Sequence, residues 1–150
     1  MNIRLDDNIA RWAAAIYRRQ VALMNRRLEP YDLGSGRFPY LFFLYRQDGA
    51  TLGELAESLV VDKGGATRAI DRLEKSGYVR RAPDPDDGRS VRVFLTDRGR
   101  QIRPELERVV AEVLALLVEG LSAEEQERLR SLMGRVAANA VNALKGDGTI

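Results

Sequence analysis

The chain has neither cysteine nor histidine, which removes thiolate nucleophiles, imidazole bases, Cys/His zinc sites and thiol redox sensing together. Its serines therefore lack an activating imidazole, and its carboxylates show no metal-ligand spacing, so neither catalysis nor a cofactor is expected. The chemistry that remains is charge. Across 150 residues, 24 Lys and Arg stand against 22 acids, a net charge of only +2. Its placement is uneven: from Lys63 to Arg100 there are ten basic residues and six acidic ones. A local excess of this kind suits an anionic partner.

Within that stretch, Thr67, Arg68, Asp71, Arg72 and Lys75 share one face of a helical projection, opposite Ala66, Ala69, Ile70 and Leu73. The apolar face belongs to a core, and the polar, mostly basic face is left for a partner or for water. The spacings Arg68 to Arg72 and Asp71 to Lys75 also fit an ordinary solvated helix surface. Gly64 and Gly65 cost the first turn roughly 1–2 kcal/mol against alanine. In exchange they bare N–H groups at a helix start, where a phosphate can approach.

The elements that must position this face are legible on either side of it. Residues 5–29 carry Leu5, Ile9, Trp12, Ile16, Val21, Met24 and Leu28 at helical steps, which predicts an amphipathic helix with an acidic start at Asp6-Asp7 and a stop at Pro30. Pro39 opens a run that is apolar nearly all round until Gly49, as a buried helix requires. Thr51 and Glu54 form a capping box for a short helix over 52–60, and Asp62 caps the helix that Gly77 ends. Two short helices across a tight turn make a helix-turn-helix. The period then changes: 78–82 and 91–95 read as strands around the tip PDPDDGRS, a hairpin wing. Thr96-Asp97 caps a helix over 97–120 with a kink at Pro104. Ser122 and Glu125 box a last helix over 123–144, and the tail GDGTI is expected to fray.

The expected fold class is mainly α with a small β-hairpin wing (α+β). It divides into an N-terminal helix (1–35), a winged lobe (36–96) and C-terminal helices (97–150). Each outer helix is apolar along most of its roughly 33 Å length, more than the middle portion can cover. Either the helices pack as a bundle on their own chain or a second copy covers them. The second reading, preferred here, gives a homodimer through Ile9, Trp12, Val109, Val113, Leu117, Leu121, Leu132, Val136 and Val141. No apolar run approaches the roughly 20 residues that cross a bilayer, and no signal-peptide core is present. The expectation is a cytoplasmic protein without a membrane partner.

The stretch VDKGGATRAIDRLEKSGYVRRAPDPDDGRSVRVFLTDRG resembles the MarR family of bacterial winged helix-turn-helix regulators, through DK…TR..D.LE..G.V.R on the helix and first strand and D.R…V.LT..G on the wing. The motifs cover about 62–99, and the order of elements extends the likeness over almost the whole chain. It implies a DNA-binding regulator, here a repressor whose partner is double-stranded DNA. Thr67 and Arg68 then suit base edges in a major groove, whereas Lys63, Arg72 and the Gly64-Gly65 backbone suit phosphates. Arg80, Arg81 and Arg92 are further candidates for contact. The resemblance places the arginine at Arg89 in a minor groove, supported by the aspartate at Asp87; a surface ion pair is the plainer reading of that pair. It also implies a crevice for a small aromatic or phenolic effector where the lobes join. Trp12, Tyr17, Tyr40 and Phe43 are the lining candidates, and Arg46 or Arg18 supplies a counter-charge. The rival of another class is a helical interaction module whose lobe binds a protein.

Overall fold

A computed structural model describes residues 7–146. Leu5, Asp6 and the expected frayed tail after Gly146 lie outside the described residues. Helix α1, Ile9–Leu28, begins where the Asn8 side chain accepts the Arg11 N–H at 3.1 Å. The acid nearest its start, Asp7, accepts the Trp12 indole N–H at 2.8 Å. The chain leaves α1 through a 3-10 turn, Glu29–Tyr31, that holds Pro30. Helix α2, Phe38–Leu44, buries Tyr40, Leu41 and Leu44 completely enough to sit at the centre of the core, as its nearly uniform hydrophobicity requires.

Strand β1, Ala50–Thr51, and helix α3, Leu52–Ser58, share Thr51, whose side chain and Glu54 complete the expected capping box at 3.2 and 2.7 Å. Helix α4, Lys63–Lys75, turns Ala66, Ile70 and Leu73 into the core and ends before Gly77, whose φ of +77° only glycine adopts without strain. Strands β2, Val79–Pro83, and β3, Val91–Leu95, pair antiparallel from Val79↔Leu95 to Pro83↔Val91. The wing is not a bare hairpin. β1 pairs with β3 through Ala50↔Val93 and Thr51↔Arg92, giving the order β1-β3-β2. Two residues are too few to leave a periodic pattern, so sequence showed only the cap at Thr51.

The helix expected over 97–120 is two: α5, Asp97–Gln101, and α6, Arg103–Leu117. Pro104 offers no N–H to the Arg100 carbonyl, and the break at Ile102 relieves the clash of its ring. α6 buries Leu106, Val109 and Val113 in the same core cluster as residues of α1, α2 and the sheet. That corrects the assignment of Val109 and Val113 to a dimer interface, because a side chain already enclosed by its own chain has no surface left to share. The chain divides into one unit ending at Val113 and another beginning at Leu114, later than the expected boundary at 96/97. In the second unit, helix α7, Ala123–Gly146, starts at a capping box in which Glu125 accepts the Ser122 N–H at 2.7 Å. Among the described residues, no helix is long and apolar enough to cross a membrane.

Candidate nucleic-acid interface

The site begins at the turn between α3 and α4. Asp62 accepts the Gly65 N–H at 2.7 Å and so caps α4. Of the expected phosphate seat on Gly64-Gly65, the Gly65 donor is thus engaged within the chain, and a carboxylate stands at the positive end of the helix. Gly64 has a different use, since a Cβ there would lie 3.1 Å from Asp62 Oδ1 and 3.3 Å from Arg68 Nη1. One turn on, the Thr67 hydroxyl donates to the Lys63 carbonyl at 2.8 Å, which fixes its rotamer and leaves its lone pairs available as acceptors. Lys63, Arg68 and Arg72 are exposed, and among the described residues none has an ion-pair partner. Arg68 and Arg72 line a groove of about 500 Å³ with Gly65, Ala69, Asp71, Ser35 and Arg37. Arg37 was not anticipated. It comes from the loop before α2 and is held by the Asp32 carboxylate at 3.1 Å and the Asp32 carbonyl at 3.0 Å. The loop bends through positive φ at Asp32 and Ser35, a shape that hydropathy patterns do not encode.

At the wing tip two of the three aspartates, Asp84 and Asp87, serve the protein's own groups. Asp84 is only 6% exposed; it holds the Arg92 guanidinium at 2.9 Å and accepts the Asp86 N–H at 3.0 Å. Asp87 accepts the Arg89 N–H at 3.0 Å, so it shapes the turn that presents Arg89. The Arg89 side chain is exposed and, among the described residues, makes no ion pair. Arg80 is exposed on the opposite face of β2 from Arg81 and lies 4.8 Å over the Phe94 ring.

Two of the expected contact residues are otherwise engaged. Arg92 spans Asp84 and the Gly49 carbonyl, at 2.9 Å to each, which ties the wing tip to the start of β1. Arg81 grips α4 through Asp71 at 2.6 Å and Glu74 at 2.7 Å. Burial works against its charge, but the hydrogen bonds and charges of Asp71 and Glu74 outweigh it and hold its pKa above the ordinary value. Sequence counted both as free cations because their partners sit on other elements.

The expected effector residues do not share one described cavity. Tyr40 is 4% exposed and belongs to the core; burial, then the nearby Asp62 charge, raises its hydroxyl pKa. Trp12 and Tyr17 are exposed on α1, and Phe43 packs on the core's edge. Arg46 lines a cavity of about 480 Å³ with Leu44, Tyr45, Asp48, Leu95, Arg100 and Arg103.

A helix-turn-helix with an arginine-tipped, three-stranded wing now has its counterparts among known proteins. The MarR family model matches residues 33–91. An uncharacterized HTH-type transcriptional regulator of Bacillus subtilis (strain 168), YybA, is 30% identical over 133 residues, 89% of this chain and 89% of its own. The chain belongs to the MarR family of transcriptional regulators. Among solved structures, a MarR transcriptional regulator from Methanosarcina mazei Go1 is 32% identical with a TM-score of 0.84, covering 90% of this chain and 97% of its own. A mutant MarR from E. coli, complexed with operator DNA, is 32% identical with a TM-score of 0.75, covering 85% and 92%. In this MarR-family regulator, the helix-turn-helix is α3 and α4, and α4 stands in the second position of that motif, where a recognition helix lies.

Proposed function

We propose that this MarR-family regulator represses transcription by binding a pseudo-palindromic operator as a homodimer. The observation that carries it is a pair of exposed cationic sets on one unit that make no ion pair among the described residues: Lys63, Arg68 and Arg72 along α4, and Arg89 at the wing tip. In this reading Thr67 and Arg68 face base edges in the major groove, Lys63 and Arg72 meet phosphates, and Arg89 enters the adjacent minor groove. Arg80, exposed beside Phe94, is a further phosphate contact. The E. coli MarR complexed with operator DNA supports the partner class.

The dimer would bury apolar side chains the chain leaves in water: Ile9 and Trp12 on α1, and Leu117, Leu121, Leu132, Val136 and Val141 in and around the last two helices. Twofold symmetry then sets half-sites about 34–36 Å apart. A small aromatic or phenolic anion is the proposed effector. The cavity beside Arg46 offers it a tyrosine ring, Leu44 and Leu95, with guanidinium groups at the rim. Such a ligand acts only through unequal affinity for DNA-competent and incompetent spacings of the two lobes. A protein that works on DNA in this way belongs in the cytoplasm.

The test is footprinting of the purified protein on duplex DNA upstream of its own gene, repeated over a salt series and with Arg89→Ala. Phosphate contacts predict a steep fall in affinity with salt. Removing Arg89 is expected to cost about 1–3 kcal/mol of specific binding with the dimer intact. Salt-independent binding, or unchanged affinity of the variant, would overturn the assignment.

A further inference from the structure

Resting on the DNA-binding reading, we propose that Arg81 is a positioning residue: it clamps the wing to the recognition helix, so that the minor-groove arginine and the major-groove face are presented at one fixed spacing. Arg81 lies on β2, yet its polar contacts reach the last three turns of α4. Its backbone N–H donates to Glu74 Oε1 at 3.0 Å, one guanidinium nitrogen donates to Glu74 Oε2 at 2.7 Å, and another to Asp71 Oδ1 at 2.6 Å and to the Thr67 carbonyl at 3.4 Å. Glu74 thus receives one bond from the strand's main chain and one from its side chain, a two-point attachment that opposes rotation of strand against helix. The Arg81 side chain is only 23% exposed, and its ion-pairing nitrogens are committed.

The wing needs such a clamp because of leverage. It leaves α4 through the short turn Ser76–Tyr78 and projects five residues of paired strand, roughly 16 Å at ~3.3 Å per residue. A rotation of about 10° at the base moves the tip by about 3 Å, more than the tolerance of a hydrogen bond. Arg92 holds the far end in the same manner, through Asp84 and the Gly49 carbonyl. Arg81 is the link to the helix that carries Arg68.

A clamp and a phosphate contact predict opposite signs for the same substitutions. If Arg81 meets phosphate, Glu74→Gln and Asp71→Asn strip two negative charges from a DNA-facing surface and free a cation, so duplex binding tightens. If Arg81 is a clamp, both substitutions weaken operator binding, as Arg81→Gln does, by roughly tenfold. The double variant Arg81→Gln/Glu74→Gln is then no weaker than the worse single, because both remove one interaction. The salt slope of binding also separates the two roles: it falls by about 1 when a phosphate contact is lost and stays at the wild-type value when a clamp is lost. Amide hydrogen exchange of the DNA-free protein gives an independent readout, with faster exchange over residues 79–95 in Arg81→Gln and Glu74→Gln and unchanged exchange in α6. Tighter binding by Glu74→Gln, or wing exchange unaltered in Arg81→Gln, overturns the clamp. Failure of the wild type to bind any duplex overturns the DNA-binding reading instead, and the exchange experiment still decides the clamp.

Discussion

Replacing Gly99 by alanine is expected to destabilise the fold far more than a single methyl suggests. A Cβ at this position in α5 would lie 2.1 Å from the Tyr78 carbonyl oxygen and 3.2 Å from both the Tyr78 carbonyl carbon and Leu95 Cδ2. The first contact is with backbone, so no side-chain rotation relieves it. That carbonyl accepts the Thr96 N–H at 3.1 Å, joining the end of β3 to the exit of the recognition helix. Gly99 is itself fixed on both sides: its N–H goes to Thr96 Oγ1 at 3.0 Å, and its carbonyl takes the Tyr45 hydroxyl at 2.7 Å. Overpacking costs about 2 kcal/mol, and a disrupted buried hydrogen bond about 2 more. Alanine's helix propensity returns about 1. The expected loss is therefore about 3 kcal/mol, and it lowers the urea midpoint by about 1.5 M for a slope near 2 kcal/mol/M. Gly134→Ala is the control. It sits in α7 with nothing within 4 Å of the added Cβ, off the stripe of Leu129, Leu132, Met133 and Val136, so it should gain about 1 kcal/mol. Urea unfolding of the three proteins at one protein concentration decides the matter. A loss below about 0.5 kcal/mol for Gly99→Ala would refute the steric reasoning.

Val60 sits in the turn between α3 and α4 with φ +55° and 90% of its surface exposed. Val60→Gly therefore loses little packing, relieves about 1–2 kcal/mol of left-handed strain and should raise the thermal midpoint by a few degrees; a lower midpoint would contradict this. Leu132→Glu places a charge on the exposed apolar stripe of α7 and should convert the proposed dimer to monomers in sedimentation, without loss of helix by circular dichroism. Burial raises the Tyr45 hydroxyl pKa from 10.0 to about 12. The stability this group contributes is thus complete below pH 10 and lost as pH rises from 10 to 12. Tyr45→Phe should flatten that alkaline limb and, through loss of the bond to the Gly99 carbonyl, cost about 1 kcal/mol at neutral pH. A limb unchanged in the variant would assign it to other groups.

The helix boundaries were legible because the side chains that set them act within four residues. Asn8, Thr51, Asp62, Thr96 and Ser122 all accept a backbone N–H three residues on. Only Asn8 was missed, with the start placed at the acids just before it. The recognition helix was legible for a related reason: Ala66, Ile70 and Leu73 alternate with charge at the helical period, and that period is local. The same locality hid strand β1, whose two residues matter only through their pairing with β3, some forty positions away.

Charge was misread where its compensation came from elsewhere in the chain. Among the described residues Arg89 makes no ion pair, whereas Arg81 and Arg92 do, yet all three are arginines in one basic stretch. Sequence alone established the family's motifs, the amphipathic faces, the caps and the absence of thiol or imidazole chemistry, because these depend on residue type and near-neighbour spacing. The tertiary structure decided which valines of α6 were enclosed and which arginines were already paired. Burial and ion pairing are properties of groups that meet within about 4 Å in space, and separation along the chain does not fix that distance.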